Sequence, residues 1–204
     1  MMDIDSVMGL APVIPVLMVD DIAHARPLAE ALVAGGLPVL EVTLRTPVAL
    51  DVITEMAKVP GAIVGAGTVI SSGDLAAALV AGARFVVSPG ITAALGSAAR
   101  TSGVPFLPGV SSASDIIRAQ EMGFNRLKFF PAVAAGGLPM LRALTAPFRN
   151  VRFCPTGGIT LESAPEWLAD PAVACVGGSW IAKRGETDWA AIEARARAAA
   201  ALRG

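Results

Sequence analysis

Apolar runs of strand length begin near Pro12, Pro38, Ala62, Arg84, Pro105, Asn125, Val151 and Ala172, one every 20 to 26 residues. A helix-like stretch follows each of them, over 21–34, 47–58, 71–80, 92–101, 111–122, 137–146, 160–168 and 188–202. No other feature restricts the fold so strongly. Alternating strands and helices with near-continuous apolar strands imply a parallel sheet covered by helices. Asp21, Ser71, Ser111 and Thr160 are expected to cap helices, since a side-chain oxygen can accept from a free first-turn amide. Gly35, Gly82 and Gly123 are expected to end helices in the left-handed conformation.

Eight such units closing on themselves make a single (β/α)8 barrel over residues 1–204, a length near the lower limit for that fold. A doubly wound open sheet competes, but it would show a glycine-rich fingerprint after strand one, and residues 19–21 contain no glycine. Only 16 % of residues are charged and mean hydropathy is +0.63, so much of the chain must be interior. The apolar runs stay well short of the ~18 residues of a membrane span. The first ten residues hold Asp3 and Asp5 without a basic residue, the wrong charge for a targeting segment, and a cytoplasmic location is expected.

One lysine, Lys128, stands inside the apolar run 127–131, in a chain with three lysines and thirteen arginines. Burying an ammonium group is costly, and Schiff-base chemistry requires the unprotonated amine that an apolar setting favours. Strand alternation places Glu41, Thr43 and Arg45 on one face of strand two, and Arg126, Lys128 and Phe130 on one face of strand six. If those faces point inward, Glu41 and Lys128 meet inside the barrel. They then form either a structural ion pair or the carboxylate and amine needed to make and collapse a carbinolamine. Arg45 can grip a carboxylate with two parallel hydrogen bonds, or simply open an exposed loop. Thr68 can add a hydroxyl.

Two glycine pairs, Gly157 with Gly158 and Gly177 with Gly178, follow strands seven and eight. Their unobstructed amides, with the hydroxyls of Thr156 and Ser179 and the helical turns expected next, suit an anion cradle where this fold favours phosphate. A side chain added at Gly178 is expected to obstruct it.

Taken together, LEVTLRT at 40–46, VGAGTV at 64–69, SPG at 88–90, LKFFP at 127–131, RFCPTGGI at 152–159 and GGSW at 177–180 resemble the 2-keto-3-deoxy-6-phosphogluconate aldolases, which also act as 4-hydroxy-2-oxoglutarate aldolases. The resemblance implies a class I aldolase without a cofactor, with Lys128 forming the Schiff base and Glu41 moving protons. It implies that Arg45, Thr68, Pro89 and Phe130 hold the keto-acid end, and that Thr156, Gly157, Gly158, Gly178 and Ser179 hold the phosphate. It also implies a homotrimer.

A galactonate-epimer aldolase is the nearest alternative. The resemblance suggests an arginine at the end of strand one in that branch, where this chain has Met18 and Val19. A phosphate-binding barrel that uses only the cradle, or a catalytically silent binding protein, would leave Glu41 and Lys128 without a task. Net charge −1 without a basic cluster argues against nucleic acid as a partner and for a small phosphorylated 2-keto acid. His24, Cys154 and Cys175 are too few and too scattered for a zinc site, and the thiols read as buried and inert.

Overall fold

A computed structural model describes residues 2–202. The parallel strands are β1 (Val13–Leu17), β2 (Val39–Thr43), β3 (Ile63–Gly67), β4 (Phe85–Val87), β5 (Phe106–Leu107), β6 (Gly109–Val110), β7 (Arg126–Phe129), β8 (Arg152–Pro155) and β9 (Val176–Gly178). They form a six-stranded sheet in the order β5-β4-β3-β2-β1-β9 and a three-stranded sheet β6-β7-β8. The fold is therefore α/β with a curled parallel sheet.

The fifth expected strand is split into β5 and β6 by Pro108, which has no N–H for a ladder. Its carbonyl accepts from the Lys128 amide at 2.8 Å, so the break is also the turn from one sheet to the next. On the other side the sheets meet through single bridges, Phe153 with Val173 and Thr156 with Gly177. The last strand begins at Val176 rather than near Ala172.

Nine α-helices accompany these strands among the described residues: α1 (Ile4–Gly9), α2 (Ala25–Ala34), α3 (Ala49–Met56), α4 (Ser72–Val80), α5 (Ala93–Ser102), α6 (Ala113–Glu121), α7 (Gly137–Thr145), α8 (Ala164–Leu168) and α9 (Trp189–Ala200). None is long and apolar enough to cross a membrane. Asp21 accepts from the Ala23 amide, and Ser71 forms a reciprocal capping box with Asp74. Two expected caps lie elsewhere. Ser112, not Ser111, caps α6, because Ser112 is three residues from the Asp115 carboxylate that closes its box. Thr160 instead makes a turn with Ser163, and α8 starts only at Ala164.

Gly82 and Gly123 are left-handed as expected, whereas at the end of α2 that role falls to Gly36 (φ +90°). Gly35 answers to a close approach: a Cβ there would lie 2.4 Å from Cβ of Ala196 in α9. His24, half-buried, packs edge-on against Trp189 at 5.6 Å.

Two apolar clusters divide the interior. Outward-facing strand residues such as Leu40, Val42, Val64, Ala66, Leu127 and Phe129 pack under the helices. Ile14, Val39, Phe85, Val87, Leu107, Cys154 and Cys175 form an inner cluster with Val7 and Met8 of α1. Helix α1 had no counterpart in the strand-and-helix repeat. It seals the amino ends of the strands, and with Val7 0 % and Met8 1 % exposed each side chain contributes about 1.5–3 kcal/mol. Asp5 on the same helix pairs with Arg126 at the start of β7.

Candidate active site

Backbone register determines which side chains meet above that inner cluster. Glu41 pairs with Gly65 and Thr43 with Gly67 across β2 and β3, and Lys128 pairs with Cys154 across β7 and β8. The small residues on β3 make room: a Cβ at Gly67 would lie 2.2 Å from Glu41 Oε1, so only glycine lets that carboxylate lie across the neighbouring strand. The alternation Gly65-Ala66-Gly67 was the available signal for this.

Lys128 Nζ lies 3.1 Å from Glu41 Oε1, with the two side chains 7 % and 4 % exposed. Removing both groups from water offsets much of their attraction, so the pair is a poor stabilising device. It does hold a nucleophilic amine beside a group able to accept and return a proton. The Phe130 ring centroid is 5.2 Å from the same Nζ, giving the amine an aromatic wall.

Around the carboxyl ends of the strands the other expected residues take different positions. Thr43 donates to the Leu17 carbonyl at 2.9 Å and Thr46 to that of Val19 at 2.7 Å, tying the loop after β2 to β1. Arg45 lies between them, exposed, and its guanidinium has no partner among the described residues. It is therefore available to a carboxylate. Thr68 is held at φ 61°, an outlier for a β-branched residue that costs on the order of 1–3 kcal/mol. The surrounding pairing enforces it, since the carbonyl of Gly67 accepts from Leu44 and the amide of Val69 donates to Val87. Pro89 approaches β6 so closely that a Cβ on Gly109 would lie 2.2 Å from its carbonyl oxygen.

After β8, Gly157 and Gly158 turn the chain with φ values of 105° and 80°, whereas Gly177 and Gly178, expected beyond the last strand, lie inside β9 and pair with Ile14 and Pro15 of β1. The loop after β7 is bonded to this turn, with the Ala132 amide donating to Thr156 and the Val133 amide to Gly157. Thr156 is buried and touches the Gly177 position, where a Cβ would lie 2.2 Å from Thr156 Oγ1, while Ser179 is exposed. Neither glycine pair runs directly into an α-helix, because α8 starts at Ala164 and α9 at Trp189. Anion binding there would draw on turn amides rather than on a helix terminus. Gly178 is required by the indole of Trp180, whose ring would lie 2.3 Å from a Cβ, so a side chain there disturbs packing before it reaches any cradle.

One rim feature had no local sequence signal. Arg184 donates two hydrogen bonds of 2.7 Å to Asp20, joining the loops after β9 and β1 across 164 residues. The hydrogen bonds from Arg184 hold the Asp20 carboxyl below the usual carboxylate range.

Residues 4–195 match the family model described as KDPG and KHG aldolase. The chain is 56% identical over 203 residues to the 2-dehydro-3-deoxy-phosphogluconate aldolase of Zymomonas mobilis, covering 100% of this chain and 98% of that one. Among solved structures, the 2-keto-3-deoxy-6-phosphogluconate aldolase of Zymomonas mobilis ZM4 with 3-phosphoglycerate superposes with a TM-score of 0.97 at 56% identity, covering 98% of this chain and 96% of that one. The KDPG aldolase of Legionella pneumophila, with pyruvate captured as a covalent carbinolamine, gives 0.94 at 46% identity and covers 98% of both chains.

Proposed function

The chain belongs to the KDPG and KHG aldolase family, and on that premise we propose that Lys128 and Glu41 carry a class I aldol cleavage at the carboxyl ends of the strands. The protein is an aldehyde-lyase. Its reaction is the cleavage of 2-dehydro-3-deoxy-6-phosphogluconate to pyruvate and glyceraldehyde 3-phosphate, and 4-hydroxy-2-oxoglutarate is its second substrate in this reading, giving pyruvate and glyoxylate. The observation that carries the assignment of roles is the buried 3.1 Å contact between Lys128 Nζ and Glu41 Oε1.

In this reading Glu41 takes a proton from the Lys128 ammonium, and the neutral amine so formed attacks the C2 ketone to give a carbinolamine. Loss of water, assisted by Glu41, leaves an iminium. The C3–C4 bond then breaks with its electrons flowing into the iminium, while the C4 hydroxyl proton passes to Glu41 and the aldehyde departs. Protonation of the enamine at C3 and addition of water release pyruvate and restore the amine. In the same reading Arg45, whose guanidinium has no partner among the described residues, and the strained Thr68 bind the keto-acid carboxylate, and Phe130 and Pro89 flank the carbon chain. Thr156, Gly157, Gly158, Gly178 and Ser179 hold the phosphate through turn amides and hydroxyls. The captured carbinolamine of the Legionella relative and the 3-phosphoglycerate of the Zymomonas relative support the two halves of this reading.

We read the two sheets as one eight-stranded barrel and one domain, with seams at Pro108 and at the β8–β9 bridges. We also read the working form as a cytoplasmic homotrimer, in which exposed Ile70 (66 %) and Val133 (50 %) would be covered; sedimentation tests the assembly. For the chemistry, borohydride reduction in the presence of pyruvate should leave a 1-carboxyethyl group on Lys128. An adduct on Lys58 or Lys183 with Lys128 unmodified would overturn the assignment.

A further inference from the structure

Three arginines converge at the closed end of the molecule, away from the proposed chemistry. Arg126, Arg149 and Arg152 line one polar cleft of about 400 Å³ with Asn125 and Asn150, at the amino ends of β7 and β8. No carboxylate lines it. Arg126 is paired with Asp5 on the adjoining helix α1. Arg152 has only carbonyl partners, those of Arg149 and Val151, and the Arg149 guanidinium has no partner among the described residues. Two cations are thus left without a counter-charge in a chain whose net charge is −1.

Such local charge has a physical consequence. Unpaired guanidinium groups lining one cleft repel one another and concentrate anions, and their planar donors fit phosphate oxygens in pairs. Asn125 and Asn150 line the same cleft, and their backbone carbonyls accept from Arg126 at 3.4 Å each. The geometry points to a second, non-catalytic site here for a small phosphorylated molecule carrying at least two negative charges. Because Arg126 and Lys128 share strand β7, the ligand would sit at the root of the strand that carries the amine, yet it would touch none of the residues proposed to bind substrate.

Calorimetric titration of pyrophosphate into the wild type and into an Arg149→Ser, Arg152→Ser variant tests this. Both proteins keep the phosphate cradle as a shared background, and both should turn over substrate alike, since the arginines lie outside it. The wild type should show an additional one-to-one component that weakens as salt is raised and is at least ~10-fold weaker in the variant. Lysines at both positions should recover part of it. Superimposable isotherms would overturn the site. Tighter binding of a single-stranded oligoribonucleotide than of pyrophosphate at the same residues would overturn the small-ligand assignment.

Discussion

The two ends of the strands are built on opposite principles. At the amino end, α1 closes the interior with Val7 and Met8, side chains that fill space and touch the same inner cluster as Ile14 and Phe85. At the carboxyl end, side chains are missing where packing would place them: Gly67 leaves room for Glu41, Gly177 for Thr156, and Gly158 lies against Val133. That end also keeps backbone in left-handed conformations at Thr68, Gly157 and Gly158. One end stabilises, and the other spends stability on placement. If this division is right, substitutions at the carboxyl end should alter turnover more than folding, and those at the amino end the reverse.

The largest effect should come from Lys128→Ala, which removes the proposed nucleophile and should leave no measurable aldol cleavage. It also crosses the division, because Glu41 is then buried without its partner, a loss of about 3–5 kcal/mol that Glu41→Gln in the same chain should largely restore. Denaturant unfolding of the single and double variants checks this. Glu41→Gln alone should lower kcat by ~10²- to 10⁴-fold, and a wild-type kcat would reduce Glu41 to an ion-pair partner.

Met8→Ala probes the other end. A cavity under α1 should cost about 2–5 kcal/mol of stability while kcat of the folded protein stays unchanged. Lost turnover without lost stability would break the contrast. A smaller change is expected from Gly158→Ala, where a Cβ meets Val133 at 2.8 Å and the positive φ adds strain. KM for the phosphorylated substrate should rise several-fold, with 4-hydroxy-2-oxoglutarate much less affected.

The smallest effect concerns acid. The hydrogen bond from Arg195 holds the Glu186 carboxyl below its ordinary value of 4.5. Its contribution is therefore complete above that value and is lost as pH falls through the lowered one. Glu186→Gln should flatten the acid limb of the stability profile by less than about 1 kcal/mol, measured by thermal unfolding between pH 3 and 6.

Much of the site was legible before any tertiary structure was known, because strand alternation is a local property. Reading period two through 39–45 and 126–130 is enough to set Glu41 with Thr43 on one face and Lys128 with Phe130 on another, and Gly157 with Gly158 announces a turn by composition, whereas the same composition at Gly177 and Gly178 belongs to strand β9. Local periodicity likewise determined the alternation of strand and helix and the parallel class of the sheets. What it left undetermined depends on atoms distant in sequence. Only the packed chain decided that α1 plugs the amino end, since six residues with two apolar contacts carry no period of their own. The choice of Ser112 over Ser111 was local, resting on Asp115 three residues on, but the bare Cα at Gly35 answers to Ala196 of α9, far along the chain. Arg184 and Asp20, 164 residues apart, meet because β9 lies beside β1. The curl of the sheets brings Lys128 to within 3.1 Å of Glu41 across 87 residues. Sequence determines which way a side chain faces; the curl of the sheet decides what it faces.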